Sequence, residues 1–190
     1  MEFKMTTAII GLGNMGKALA ARLDGKTDLV LATRETTDAA IKAADIVVLA
    51  LPYAAALDVA ANPALTGKII VDMSNPVKPD FSGLSLGHTT SAAEEIQKVA
   101  KGARVVKAFN TIFAQVFAKA DTAKLPVFIA GDDEAARKTV ADLVKAAGFA
   151  PDDVGGLEAA RLLEPLGMLN IRFGYGLGRG TEIAPTWTTL

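Results

Sequence analysis

Residues 6–34, TTAIIGLGNMGKALAARLDGKTDLVLATR, decide the fold. An apolar run at Ala8, Ile9 and Ile10 breaks into Gly11, Gly13 and Gly16. A helical pattern follows through Leu19, Ala20 and Leu23, and a second apolar run extends from Leu29 to Ala32. Strand, glycine turn, helix and strand in this order make the βαβ unit that binds dinucleotides. Gly11 makes the tight turn, Gly13 lets the backbone approach a pyrophosphate, and Gly16 lets the helix lie close to the first strand. Unpaired N–H groups near Asn14 and Met15 then face the phosphate charge.

The end of the second strand selects the nucleotide. A carboxylate there accepts from the ribose 2′-hydroxyl of NAD, whereas a 2′-phosphate calls for a guanidinium. The chain offers Thr33 and Arg34, with Glu35 next to them. A hydroxyl beside an arginine points to NADP(H).

Composition narrows the classes. With 190 residues, 51% of them hydrophobic, the chain suits a single core. Its formal net charge of −1 gives no basic face, so nucleic acid is not expected as a partner. The absence of cysteine excludes disulfides, thiolate metal sites and cysteine nucleophiles, and no metal is expected. No apolar run approaches the roughly 20 residues that span a bilayer. MEFKMTT shows no signal-type hydrophobic segment, which predicts a cytoplasmic protein; Met5 offers an alternative start, with residues 1–4 as an extension.

Further along, a short helical segment from Thr36 to Ala44 leads to a third strand within IVVLAL (residues 46–51). Pro52 and Tyr53 open an alanine-rich helix to about Ala61, and a fourth strand covers residues 68–72. A polar loop containing His88 then leads to Ser91 and Glu94, a capping box that starts a helix ending at Gly102. The fifth strand spans Arg104 to Ala108, and the sixth spans Val127 to Ala130. Asp132 or Asp133 caps a helix that ends at Gly148. This alternation predicts an α/β fold: a Rossmann-type, doubly wound parallel sheet in the order 3-2-1-4-5-6, as one domain over residues 1–190. Residues 157–190 form a helical C-terminal extension and tail, with Pro165 expected to kink or break the helix. Glycines 174, 176, 178 and 180 mark a mobile or closely packed loop.

Ligands of such sheets bind beyond the carboxyl ends of the strands. The candidate cofactor-binding residues are therefore Gly11, Leu12, Gly13, Asn14, Met15, Gly16, Thr33, Arg34, Leu51, Pro52, Tyr53, Asn75, Pro76, Ala108, Phe109 and Asn110, with Thr111 beside them. Asn75 and Asn110 are the candidate catalytic residues, as amide ligands for nicotinamide or for an acceptor. His88 reads as a solvated loop residue. Lys107, within a strand, either projects toward phosphate or snorkels to solvent, and Phe109, Phe113 and Phe117 read as core.

GLGNMGKALAARL, LALP at residues 49–52, DMSNP at 72–76, SAAEEIQ at 91–97, VVKAFNT at 105–111 and GLEAARLLEPL at 156–166 together resemble the NADPH-dependent coenzyme F420 reductases and their bacterial relatives. The resemblance covers nearly the whole chain. It implies hydride exchange between NADP(H) and a small-molecule redox acceptor, the deazaflavin coenzyme F420 or a flavin such as FMN or FAD. It also implies that Thr33 and Arg34 hold the 2′-phosphate and that the nicotinamide sits by Leu51, Pro52, Ala108, Phe109 and Asn110. The chain departs from the family in its short link between the second and third strands. It also has Glu35, Thr36 and Thr37 where a basic residue commonly follows the arginine.

Hydride transfer between two rings needs proximity more than an acid or a base, and the predicted site has no histidine or nucleophile. A reductase of a small imine or hydroxy acid and a non-catalytic NADP(H)-binding sensor are the competing readings. The apolar face around Leu162, Leu166 and Leu169 predicts a homodimer.

Overall fold

The computed structural model describes residues 5–187; the reading of residues 1–4 as an extension lies outside them. The glycine-bearing unit forms as β1 (Thr7–Ile10), α1 (Asn14–Leu23) and β2 (Leu29–Ala32). After a 3₁₀ turn at Arg34–Thr36 come α2 (Thr37–Ala43), β3 (Ile46–Leu49), α3 (Tyr53–Ala60), β4 (Ile69–Asp72), α4 (Ala92–Val99) and β5 (Arg104–Lys107). A second 3₁₀ turn, Ala114–Ala118, precedes β6 (Pro126–Gly131), α5 (Glu134–Ala146), β7 (Ala150–Asp153) and α6 (Ala160–Ile171).

All seven strands join one sheet in the order β2-β1-β3-β4-β5-β6-β7. Side chains alternate across it. Ile9, Ile46, Val48, Val71 and Val106 pack with Leu19 and Leu23 of α1 and Val140 and Leu143 of α5. Ala8, Ile10, Val47, Leu49, Ile70 and Val105 pack against Ile41, Ala56 and Ile96 of α2, α3 and α4. Because both faces are covered, the central strands are largely apolar, as expected of parallel strands buried on two sides, with Asp72 and Lys107 as charged exceptions at the ends of β4 and β5.

The Rossmann-type fold class is as predicted, but the order 3-2-1-4-5-6 is not. The link from β2 to β3 holds only a 3₁₀ turn and the seven-residue α2. That leaves no room for another strand outside β2, so the chain crosses directly to the far side of β1. The sheet is also not wholly parallel, since β6 runs antiparallel to β5. Between these two strands there is no α-helix to carry the chain back along the sheet, and a parallel return usually requires one. β7 was not predicted; APDD has little strand propensity and pairs with β6 because α5 returns the chain alongside that open edge.

Caps follow the sequence closely. Ser91 accepts from the Glu94 amide and donates to its carboxylate, and Asp133 rather than Asp132 caps α5. Pro165 does not break α6, which runs through it. The missing N–H falls in the second turn, where buried Leu163, Glu164 and Gly167 hold the helix against the sheet. Of the tail glycines, Gly174 is the closely packed one, because an added Cβ would lie 2.7 Å from the Phe113 ring. Trp187 packs edge-on against Phe128 at 5.2 Å.

Candidate functional site

Strand order reverses between β2 and β3, on either side of β1, and the crevice opens there at the carboxyl ends of the strands. Gly11 sits at φ +99°, and a Cβ on it would lie 2.5 Å from the Ala50 carbonyl oxygen. A Cβ on Gly16 would lie 1.9 Å from the Gly11 oxygen, so α1 can meet β1 only through glycine. Gly13 differs: a Cβ there would meet nothing within 4 Å. It faces open space, and it starts α1 with no side-chain cap. A phosphate brought up to Gly13 would meet the first-turn amides of α1 and the positive end of its dipole.

On one side of this turn lies a cleft of about 880 Å³, lined by Gly11, Arg34, Thr37, Lys42, Leu51 and Asn62 among others. Asp38 reaches across part of it and accepts from Asn62 Nδ2 at 2.7 Å. Thr33 donates from its hydroxyl to the Glu35 carboxylate at 2.6 Å. That hydrogen bond, with smaller help from the Glu35 amide and Arg34, holds the Glu35 pKa below the ordinary glutamate value.

On the other side lies a smaller pocket of about 250 Å³. Its wall includes Asn14 and Met15 of α1, Asn75 beyond β4, Phe109–Phe113 beyond β5, and Gly167 and Asn170 of α6. Asn75 Nδ2 donates to the Asn110 carbonyl at 2.8 Å, and Asn110 Nδ2 donates to Asn75 Oδ1 and to the Leu163 carbonyl, each at 2.9 Å. Gly167 admits this pair, since a Cβ there would lie 2.8 Å from the Asn75 amide. Phe109 holds a φ of +63°, rare for a bulky residue, and this turn directs Asn110 back toward β4. Tyr175, in the π-helical turn Arg172–Gly176, stacks edge-on with Phe113 at 5.6 Å and closes the rim. A groove of about 780 Å³, with Phe81, Met168, Arg172 and Leu177 in its lining, shares Ile171 and Tyr175 with the pocket.

No family model matches the chain. Over 103 residues it is 39% identical to the rat metalloreductase STEAP3, covering 54% of this chain and 20% of that protein. Over 140 residues it is 33% identical to the F420-dependent NADP reductase of Methanocaldococcus jannaschii, covering 70% of this chain and 62% of that protein. The chain thus spans about a fifth and about three fifths of these two curated relatives. The structure superposes with a TM-score of 0.83 on a candidate F420-dependent NADP reductase from Arthrobacter sp. FB24, at 28% identity, with 94% and 96% of the two chains covered. By sequence and fold, the chain is similar to F420-dependent NADP reductases.

The carboxyl edge of the sheet gathers eight of the sixteen expected cofactor-binding residues, with Thr111 beside them. Gly11, Arg34 and Leu51 line the cleft, and Asn14, Met15, Asn75, Phe109, Asn110 and Thr111 line the pocket. Leu12, Gly13, Gly16, Thr33, Pro52, Tyr53, Pro76 and Ala108 line neither. Pro52 and Tyr53 open α3, the Pro76 carbonyl accepts from the amide and hydroxyl of Ser85, and Ala108 is buried. His88 is exposed and also lines neither.

Lys107 is the main correction. It reaches neither phosphate nor solvent but is completely buried, donating to Asp72 Oδ2 at 2.8 Å, Glu164 Oε1 at 2.8 Å and the Ser74 carbonyl at 2.5 Å. Three ammonium protons meet three acceptors, so the charge is paired and fully hydrogen-bonded, as burial demands. Glu164 also accepts from the Ala92 and Ala93 amides at the start of α4. Burial pushes the Lys107 pKa down, but Asp72 and Glu164 more than offset it, so the ammonium is held above the ordinary lysine value.

Lys42 and Asp38 in the cleft and Gly167 and Asn170 beside the pocket were missed as site residues. Nothing local marked them, because α2 and α6 reach the site only through the tertiary fold. The phenylalanines are core as read; Phe109, Phe117 and Phe149 pack with ring centroids 5.0–6.4 Å apart.

Proposed function

We propose that the protein is an NADP(H)-dependent oxidoreductase that exchanges hydride with a deazaflavin (coenzyme F420) or a flavin, and that it works in the cytoplasm as a homodimer. The observation that carries this reading is the order of features along one sheet edge. A cleft with Arg34 and Lys42 is followed by open space at Gly13, then by a pocket of about 250 Å³, then by a groove sharing Ile171 and Tyr175 with it. The chain's similarity to proteins named as F420-dependent NADP reductases supports the same chemistry.

The residues fit the nucleotide. Arg34 and Lys42 offer cations for a 2′-phosphate, the α1 amides take the pyrophosphate, and Asn75, Phe109 and Asn110 surround the nicotinamide. When bound, NADPH supplies a hydride, two electrons with one proton, to the acceptor ring. Among its described residues the pocket is lined by no histidine, lysine or carboxylate, so the protein's contribution is alignment and exclusion of water. Phe109 and Phe113 give the pocket an apolar wall, and Tyr175 sits at the boundary where the acceptor would enter from the groove. The homodimer would cover the outward side of α6, where Leu162 is 74% and Leu169 46% exposed.

The test is NADPH oxidation by the purified protein with coenzyme F420, FMN, FAD and riboflavin in parallel and NADH as control. Turnover with one of them and a strong NADPH preference supports the reading. Saturable NADPH binding with no turnover would favour the sensor, and turnover of a cyclic imine or hydroxy acid would favour the small-substrate reductase.

A further inference from the structure

Phe81 and Phe109 are the non-glycine residues with positive φ among the described ones, at +57° and +63°. A bulky side chain rarely holds this left-handed conformation, which costs free energy and persists only where the surroundings impose it. For Phe109 the compensation is burial in the core with two ring contacts. Phe81 has neither: it is 66% exposed, and no aromatic ring pairs with it among the described residues. The loop between β4 and α4 nevertheless holds it in place. The Lys78 amide donates to the Gly83 carbonyl and the Phe81 amide to the Lys78 carbonyl, each at 2.9 Å; the Ser82 amide donates to Asp80 Oδ1 at 3.0 Å, and Val77 bridges to Leu84. This tight hairpin puts an exposed aromatic ring in the lining of the 780 Å³ groove.

A second unusual element lines the same groove. The π-helical turn Arg172–Gly176 supplies Arg172 and the exposed Tyr175, and such turns are rare and recur at functional sites. The arginine ion pairs among the described residues are those of Arg137 and Arg161, so Arg172 has no carboxylate partner there. No aspartate, glutamate or lysine among the described residues lines the groove, which leaves the Arg172 guanidinium as its fixed charge.

We propose that the groove seats a tricyclic flavin-type ring with a phosphate-bearing side chain, the ring stacked on Phe81 and the phosphate paired with Arg172. The proposal rests on the acceptor reading above for the class of ring, and it adds the phosphate that FMN and coenzyme F420 share and riboflavin lacks. The groove's volume lies within the range of about 300–1,000 Å³ usual for whole ligands. An aromatic face suits a flat ring, and an unpaired guanidinium fork suits a phosphate. Because Ile171 and Tyr175 line both spaces, a ring in the groove borders the pocket.

The test is equilibrium binding in the presence of NADP⁺, followed by ligand fluorescence, for two matched pairs: FMN with riboflavin, and F420 with its deazariboflavin core. Within each pair the ring is the same and the phosphate-bearing extension differs. In at least one pair the phosphorylated member should bind about tenfold more tightly, and rising salt should shrink that advantage. Arg172→Gln should abolish the advantage and leave the unphosphorylated member unchanged. Phe81→Gly relaxes the left-handed residue and so preserves the loop; it should weaken both members alike, by about five- to tenfold. Equal binding within both pairs, an advantage that survives Arg172→Gln, affinities unmoved by Phe81→Gly, or no binding of any of the four would overturn the proposal. So would a drop in mass by light scattering in Phe81→Gly with ligand binding unchanged, which would mean that a second copy covers the groove. The phosphate advantage, lost in Arg172→Gln but accompanied by no NADPH turnover, would uphold the proposal and contradict the hydride transfer inferred above.

Discussion

Lys107 and Glu164 form a completely buried ion pair, Nζ to Oε1 at 2.8 Å, between the end of β5 and the middle of α6. Asp72, the register partner of Lys107 on β4, completes the group, and its other oxygen accepts from the Ser74 amide. Asn75 and Asn110 follow these strands by three residues each. The network therefore fixes the two loops that carry the asparagine pair and ties them to the helix forming the pocket's far wall.

Lys107→Met should be strongly destabilising, by about 3–5 kcal/mol, because it strands two buried carboxylates. Urea denaturation of the variant and the native protein measures this. A loss below about 1 kcal/mol would mean that the carboxylates are not held as a charged cluster.

The pH response has two limbs. Lys107 has its folded pKa raised, so its stabilisation is complete below the ordinary lysine value and is lost only as pH rises through the higher folded value. Glu94 is held low, first by its hydrogen bond from Arg161, despite partial burial. Its stabilisation is present above the ordinary glutamate value and is lost as pH falls through the folded one. Glu94→Gln should flatten part of the acid limb of a stability–pH profile and leave the alkaline limb alone.

Gly13 and Gly16 should separate binding from folding. Gly16→Ala drives a Cβ into the Gly11 backbone and should cost about 3 kcal/mol together with nucleotide binding. Gly13→Ala meets no protein atom and should leave the melting temperature unchanged while weakening NADPH about tenfold or more. Thermal melts beside equilibrium titrations distinguish them. Unchanged NADPH affinity in Gly13→Ala would place the phosphate elsewhere.

Arg34→Ala should weaken NADPH about ten- to hundredfold and leave NADH little changed. Glu35→Gln should act in the opposite direction, since it removes a negative charge beside the expected phosphate and leaves Thr33 only a neutral acceptor. Its NADPH affinity should rise by a few-fold, about the size of one exposed charge interaction. Equal effects of Arg34→Ala on both nucleotides would remove the 2′-phosphate assignment.

Local chemistry was legible in the sequence. The spacing of Gly11, Gly13 and Gly16, the Ser91 cap and the apolar strands all depend on neighbours a few residues away. Strand order was not, because it turns on which side of β1 the third strand docks, and only the shortness of α2 reveals that. β7 lacked a signal, since Ala150–Asp153 is a strand only by virtue of β6 beside it. Lys107 was readable as a lysine in a strand, but its partners lie 35 and 57 residues away in sequence. The Asn75–Asn110 pairing likewise needed β4 and β5 to be adjacent and Gly167 to leave it space.

The most direct test of hydride transfer uses NADPH deuterated at C4 of the nicotinamide, as each epimer separately, with oxidised coenzyme F420. The acceptor atom in a deazaflavin is carbon, so a transferred label stays bound and can be read by mass spectrometry. One epimer should deliver its deuterium to reduced F420 and the other should not, as expected for a ring held with one face toward the groove. NADPH binding with no reduction of F420, FMN, FAD or riboflavin, or F420 reduction with the label lost to water, would contradict the account.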